Sequence, residues 1–325
     1  MALPAIYIDG QQGTTGLRIR SLLSPRDDLE LRLIAETDRK NPRARSELLN
    51  SVDLAVLCLP DDGAAEALEL VENPDTRIID TSTARRTDPN WVYGLPELCP
   101  NHRQSIRTSA RVTNGGCYAM GFILVVRPLI EAGILSAHPS LTVNAVSGYS
   151  GGGRGMIESY QQAPPAAVPA DAPIPLSLYS LGASHKHLAE MQVFSLSARP
   201  PLFVPSVDHS YCGMLVSIPI PPGGFSGDHV GPEQVWEVWN ERYGAEPFVR
   251  AVHPDEAPKF MSGGDFLRLD GCNFTNRAEL FVFGDAEQGH LLVCRQDNLG
   301  KGASGNAVQC LNLMLGFDET TGLVV

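Results

Sequence analysis

A short apolar run, Ala5-Ile6-Tyr7-Ile8-Asp9, ends at Gly10 and passes through Gly10-Gln11-Gln12-Gly13-Thr14-Thr15-Gly16 into a helical pattern from Leu17 to Leu23. Strand, glycine turn and helix in that order make a phosphate-binding βα unit and commit the chain to a parallel sheet with right-handed crossovers. The spacing is GxxGxxG rather than the commoner GxGxxG, so the position at the head of a βα unit carries the reading more than the spacing does. Gly10, Gly13, Thr14, Thr15 and Gly16 are the expected nucleotide contacts.

Further apolar runs extend the same sheet: Leu31 to Ala35, Leu54 to Leu59, and Arg77 to Asp80, with a helix over Ala64 to Val71. Polar segments at strand ends, Pro60-Asp61-Asp62 and Thr81-Ser82-Thr83, would line the cofactor crevice, which brings in Ser82. Glu36 lies about 20 residues after the glycine loop, where an NAD-selecting acid is expected; Arg39 and Lys40 follow and would suit a 2′-phosphate.

After residue 117 the texture changes. An apolar stretch, Ala119 to Leu135, predicts a buried helix. Strands at Leu141–Val146, Leu202–Val207, Met214–Ile220, Leu280–Phe283 and Leu291–Cys294 then follow with few helices between them, which predicts a mixed or antiparallel sheet. Residues 161–175, rich in Pro, Ala and Gln, are expected as a surface loop or lid. Pro232–Tyr243 reads as a helix with Val235, Val238 and Trp239 on one face, and Asn306–Leu315 as another apolar helix.

The formal charge of −12 over 325 residues argues against nucleic acid or an anionic membrane as partner. Arg127-Pro128 interrupts the longest apolar run, so no segment reaches membrane-spanning length. The N-terminus lacks the features of a signal peptide, and seven scattered cysteines without CxxC pairs suggest a reducing, cytoplasmic setting with neither a disulfide framework nor a zinc site.

Cys117 is the candidate nucleophile. It follows Asn114-Gly115-Gly116 at the start of the apolar helix, where backbone N–H groups and the positive end of the helix dipole favour a thiolate and can hold an oxyanion. The alternative is a small buried apolar residue. Ser184-His185-Lys186-His187 supplies two histidines, with Glu190 three residues beyond the second; residues two apart share no helix face, so one of them is expected to reach the thiol. Surface or metal-binding histidines are the alternative. Arg86 and Arg154, in loops of small residues after strand ends, are candidates for anionic groups, or ordinary surface arginines. The glycine-rich loop 297–305 brings Asn298 and Lys301 towards a ligand, or else forms a helix cap with a solvent lysine.

These segments together resemble the N-acetyl-gamma-glutamyl-phosphate reductases, particularly their shorter form. The likeness runs through Gly10–Gly16, the loop from Asp80 to Asp88, Tyr93-Gly94-Leu95-Pro96-Glu97, Gly116-Cys117-Tyr118, Ser147–Arg154, His185-Lys186-His187 and Asp297–Gly316. Lys301-Gly302-Ala303-Ser304-Gly305-Asn306-Ala307-Val308-Gln309 is the most specific stretch. Longer family members usually have Pro-Gly before the cysteine and Pro-Thr after Cys-Tyr, where this chain has Gly115-Gly116 and Ala119-Met120.

The resemblance implies an α/β chain with a Rossmann-type dinucleotide-binding domain, residues 1–116 with 299–325, and an α+β catalytic and oligomerisation domain with a mixed sheet, 117–298. It implies an NADP-dependent phosphorylating semialdehyde dehydrogenase of arginine biosynthesis. In that reading Cys117 forms a thioester with N-acetyl-L-glutamyl 5-phosphate, phosphate leaves, and NADPH reduces the thioester. His187, or His185, is the acid and base. Arg86, Asn114 and Arg154 bind substrate; Gly10, Gly13, Thr14, Thr15, Gly16, Arg39, Ser82, Asn298 and Lys301 bind cofactor. A homo-oligomer, dimer or tetramer, is expected. Competing readings are an aspartate-semialdehyde dehydrogenase, an aminoadipyl-phosphate reductase of lysine synthesis, or a non-catalytic NADP-binding regulator.

Overall fold

The computed structural model describes residues 2–138, 140–162, 176–227 and 229–325; from 163 onward the expected loop at 161–175 lies outside the described residues. The chain divides into two compact units, Met1–Gly115 with Ala303–Val324, and Gly116–Gly302 with Val325. In chain order the first contributes β1 (Ala5–Asp9), α1 (Thr14–Leu23), β2 (Glu30–Arg32), α2 (Pro42–Leu49), β3 (Leu54–Leu57), α3 (Asp61–Glu69), β4 (Arg77–Asp80), β5 (Val92–Gly94), α4 (His102–Thr108) and β6 (Arg111–Asn114). The second adds α5 (Cys117–Glu131), β7 (Thr142–Gly148), α6 (Gly153–Gln161), β8 (Ser177–Leu178), α7 (Leu188–Ser195), β9 (Leu202–Asp208), β10 (Met214–Ile220), α8 (Pro232–Tyr243), β11 (Val249–Ala251), β12 (Ala278–Asp285) and β13 (Gly289–Gln296); α9 (Gly305–Leu315) returns to the first.

The first unit is a Rossmann-like sheet in the order β2-β1-β3-β4-β6-β5, with every neighbouring pair parallel. Alternation along β1 shows why its run is continuously apolar. Ile6 and Ile8 pack with Ile19 and Leu23 of α1 and Val308 and Leu311 of α9, whereas Tyr7 packs on the opposite face with Leu49 of α2 and Ala67 of α3. Strand β2 is shorter than the expected Leu31–Ala35 and begins at Glu30; α3 begins at Asp61, ahead of the expected Ala64. Strands β5 and β6 and helix α4 carry no apolar run long enough to announce them.

The second unit is built on a mixed sheet ordered β11-β12-β13-β10-β7-β9-β8, with β11–β12 and β7–β9 parallel and the other pairs antiparallel. On one face Val143, Ala145, Val216, Ile218, Leu292 and Cys294 are buried, and α5 packs against β10 and β13. Glu279 and Arg295 sit directly opposite one another on β12 and β13, both buried, with a guanidinium nitrogen 2.6 Å from the carboxylate. Among the described residues no helix is long and apolar enough to cross a membrane.

Helix α5 runs through Pro128 rather than ending there, to Glu131, and stops short of the expected Leu135. Proline has no N–H to give the carbonyl four residues back, that of Leu124. Tyr243 of α8 replaces the lost donor: its hydroxyl donates to the Leu124 carbonyl at 2.9 Å, and Trp239 Nε1 donates to the next carbonyl, Val125, also at 2.9 Å. The proline is tolerated because α8 brings a hydroxyl to the gap. Tyr243→Phe should therefore destabilise the chain by roughly 1–3 kcal/mol, the cost of a buried acceptor left alone; urea denaturation with an unchanged midpoint would refute this account.

Candidate active site

In the first unit the glycine loop is shaped by two close backbone approaches. Gly10 has φ +88°, and a Cβ there would lie 2.2 Å from the Cys58 carbonyl oxygen; a Cβ on Gly16 would lie 2.3 Å from the Gly10 oxygen. Gly13 is different, since a Cβ there meets nothing closer than 3.4 Å. Gly13 is the N-cap of α1 and supplies no side-chain cap, so the first-turn N–H groups beginning at Thr14 and Thr15 face outward from the loop. Gln11 braces the loop, its amide donating to the Ile34 carbonyl at 2.9 Å and accepting from the Ile34 N–H at 3.3 Å. At the end of β1, buried Asp9 pairs with Arg45 at 2.9 Å and accepts from the Tyr7 hydroxyl; burial and then this carboxylate hold the phenol well above its ordinary range. Arg39 stands in the turn after β2, half exposed, 3.9 Å from Glu36.

Ser82 closes β4 by donating both its N–H and its hydroxyl to Asp80, at 2.8 and 2.9 Å. Burial raises the Asp80 carboxyl above the usual carboxylate range, opposed by those two bonds and by the charge of Arg86. Arg86 itself is buried, with Nε on the Ser82 carbonyl at 3.0 Å. Asn114 ends β6 inside the packing of its unit: its Nδ2 donates to the Ala303 carbonyl at 3.0 Å and its Oδ1 accepts from Asn306 at 2.8 Å. This amide, expected at the substrate, ties the α9 segment to the sheet.

In the second unit Cys117 is the first residue of α5, half-buried, behind the N-cap Gly116, which brings no side-chain cap. Three groups fix its backbone. The buried carboxylate of Glu190 accepts the Gly116 N–H at 2.9 Å; Gln296 Nε2 donates to the Cys117 carbonyl at 2.7 Å; and Gly302 lies so close that a Cβ there would be 2.9 Å from Cys117 Cβ. Next to the thiol, Tyr118 anchors an aromatic cluster: its ring lies 6.0 Å from His185, 5.9 Å from His187 and 5.1 Å from Phe203.

The two histidine rings are 4.6 Å apart and nearly perpendicular, and His185 Nδ1 accepts the His187 backbone N–H at 3.1 Å. A neutral His185 therefore carries its proton on Nε2. Tyr179 donates to the Tyr118 hydroxyl at 3.2 Å, which donates onward to the Ser206 carbonyl at 3.1 Å. Burial drives both phenols above their ordinary range. The structure thus sets His185 and His187 around Tyr118, the residue next to Cys117, and adds Tyr179, Glu190 as a backbone acceptor, Gln296 and Gly302. Sequence reasoning assigned these four no such part; only Glu190, by its distance from His187, and Gly302, in a glycine-rich loop, left a trace.

Three other expectations are corrected in part. Arg154 lies on α6 rather than in a loop, exposed and paired with Glu158 at 2.6 Å. Lys301 is no solvent lysine: it is fully buried, its ammonium 5.9 Å over the Phe248 ring. Asn298 is buried too, accepting from the Gly213 N–H and donating to Ser150 Oγ, both at 2.9 Å. Both side chains are turned to their own unit's interior.

Comparison with known proteins agrees with this arrangement. Residues 6–106 match the semialdehyde dehydrogenase NAD binding domain, and residues 117–298 match the semialdehyde dehydrogenase dimerisation domain. The chain is 48% identical over 324 residues to N-acetyl-gamma-glutamyl-phosphate reductase 2 of Nostoc sp., covering 99% of this chain and 100% of that protein. It is 43% identical over 329 residues to the reductase of the same name from Pseudomonas putida, again covering 99% and 100%. Among solved structures, aspartate semialdehyde dehydrogenase II of Vibrio cholerae superposes with a TM-score of 0.71 at 16% identity, covering 97% of this chain and 99% of that one. The Candida albicans aspartate semialdehyde dehydrogenase with NADP gives 0.64 at 13% identity, covering 97% and 99%. The fold is therefore that of the semialdehyde dehydrogenases, and by its relatives the chain belongs to the N-acetyl-gamma-glutamyl-phosphate reductase family.

Proposed function

We propose that the protein reduces N-acetyl-L-glutamyl 5-phosphate to N-acetyl-L-glutamate 5-semialdehyde with NADPH, releasing phosphate, in the cytoplasm as a step of arginine biosynthesis. The observation that carries the reading is the start of α5, where Cys117 stands at an uncapped helix N-terminus with its backbone held on both sides and a histidine pair in the adjoining cluster. A thiol on a fixed backbone, with two imidazoles gathered around the next residue, suits acyl transfer.

The first unit fits a dinucleotide. Gly10 and Gly16 make the turn tight, the uncapped start of α1 suits a pyrophosphate, and Gly13, where packing does not demand a glycine, is assigned to its close approach. When bound, the nicotinamide supplies hydride to the acyl carbon. Arg39, rather than its exposed neighbour Glu36, is assigned to the 2′-phosphate, which selects NADP.

The residues of the chain do the rest. The histidine pair takes the thiol proton; the Cys117 thiolate attacks the acyl carbon, and the bond to the phosphate oxygen breaks, leaving a thioester. First-turn N–H groups of α5 stabilise the oxyanion at each tetrahedral stage. After reduction the carbonyl re-forms, the C–S bond breaks, and the histidine returns a proton to the thiolate. His187, the more buried of the two, is assigned this transfer, and His185 its orientation. Arg86 is assigned to an anionic end of the substrate on its match to the family's loop.

The mixed sheet also supports a homo-oligomer. On the face away from α5, Pro219, Leu291 and Phe283 form an apolar row across β10, β13 and β12, with Leu202 on the same face of β9, and Leu202 and Leu291 are exposed. An apolar row of this kind suits a second copy of the chain.

Three outcomes test the proposal. Phosphate-dependent reduction of NADP with N-acetylglutamate 5-semialdehyde should exceed that with aspartate 4-semialdehyde or with NAD, and Cys117→Ser should lower kcat by about 1,000-fold or more without unfolding the chain; faster turnover of aspartate semialdehyde would reverse the substrate assignment. Gly13→Ala should fold normally yet raise the KM for NADP, whereas Gly10→Ala should lose several kcal/mol of stability, on the order of 3; an unaltered KM in the first would remove Gly13 from the cofactor site. Leu202→Glu combined with Leu291→Glu should shrink the particle seen by light scattering, and an unchanged mass would mean that subunits meet elsewhere.

A further inference from the structure

We infer that Glu190 is a positioning residue for Cys117, acting through the Gly116 N–H; the inference rests on Cys117 being the nucleophile. Glu190 is the third residue of α7, a position from which an acidic side chain ordinarily turns back to the N-cap of its own helix. Here its Oε2 reaches across to the residue before Cys117, 2.9 Å from the Gly116 nitrogen, while the residue is only 1% exposed.

A carboxylate buried so deeply is costly unless compensated. The compensation comes from two helix N-termini at once, because the group lies within the first turn of α7 and in front of the first turn of α5. Leucine or methionine would fill the same space at lower cost to folding. What a carboxylate adds is direction: it ties the helix that follows His187 to the peptide that precedes Cys117. The far side of the same residue is held by Gln296 of β13, through the Cys117 carbonyl at 2.7 Å. Any slide of α7 along α5 would move the histidine segment relative to the thiol, and the Glu190 bond resists that slide.

The role is geometric, so an amide oxygen at the same place should serve. Glu190→Gln still accepts the Gly116 N–H and should lower kcat no more than about fivefold. Glu190→Ala has no acceptor and should lower kcat roughly 100-fold, with the KM for NADP unmoved. Glu190→Asp, one methylene shorter, should lie near the alanine variant and serves in its place where alanine does not fold. Circular dichroism establishes that each variant is folded, and iodoacetamide labelling of Cys117 reports the thiol without requiring turnover. Wild-type kcat in Glu190→Ala or Glu190→Asp would overturn the inference, as would Glu190→Gln falling as far as Glu190→Ala, which would assign the effect to charge. Cys117→Ser is run in parallel: activity surviving there would overturn the nucleophile itself, a failure distinct from that of the tether.

Discussion

Enclosure of α5 is the constraint on which the second unit depends. Most of its fifteen residues are buried, between β10 and β13 on one side and α7 and α8 on others. A helix enclosed in this way is apolar nearly all round, which removes the amphipathic pattern that would orient a surface helix. Its orientation is set instead by a few polar bonds to its backbone: Tyr243 and Trp239 at the carbonyls near Pro128, Gln296 and Glu190 at the start. These bonds fix both the rotation of α5 and its axial position. Because Cys117 is its first residue, fixing the helix fixes the direction of the Cys117 Cα–Cβ bond.

The same logic explains which glycines matter. At Gly10, Gly16 and Gly302 a side chain would collide with backbone or with Cys117, so glycine is there for packing. At Gly13 a Cβ would make only ordinary contacts, so packing does not demand its glycine. One motif therefore mixes glycines that the packing requires with one that it does not, and only the geometry separates them.

Much of the fold was legible in the sequence. The βα head, the change from alternating elements to successive strands, and the apolar helix after Gly116 all rest on hydrophobic period and glycine placement, which are local signals. Strands β5 and β6 were missed because each has only a few residues and is held by parallel partners distant in sequence. The end of α5 was placed too late, at Leu135 rather than Glu131, because the apolar run continues beyond the turn at Gly133, whose φ of +75° ends the helix. Site residues divided in the same way. Cys117 and the histidines stand out by type and context, whereas Tyr179 and Gln296 belong to the site only through contacts across the fold. The side chains of Asn114, Asn298 and Lys301 are engaged within their own units by partners distant in sequence, which no local pattern announces.

The distinctive C-terminal segment shows how a family signature can consist largely of structural instructions. Along α9, Asn306, Gln309 and Asn312 recur every third residue and are fully buried, an expensive arrangement for amides without partners. All three are matched. Asn306 donates to the Gly94 carbonyl and to Asn114 Oδ1; Gln309 donates to Glu97 at 2.9 Å and Glu319 at 2.8 Å; Asn312 donates to the Thr321 carbonyl at 2.9 Å and accepts from Arg26 at 2.6 Å. Apolar contacts alone, from Val308, Leu311 and their neighbours, would let the helix slide or turn on the sheet. Amides at this spacing allow one seating, because a shift of one residue leaves several buried groups without partners. Within its unit the α9 segment is thus seated by hydrogen bonds as well as by apolar packing.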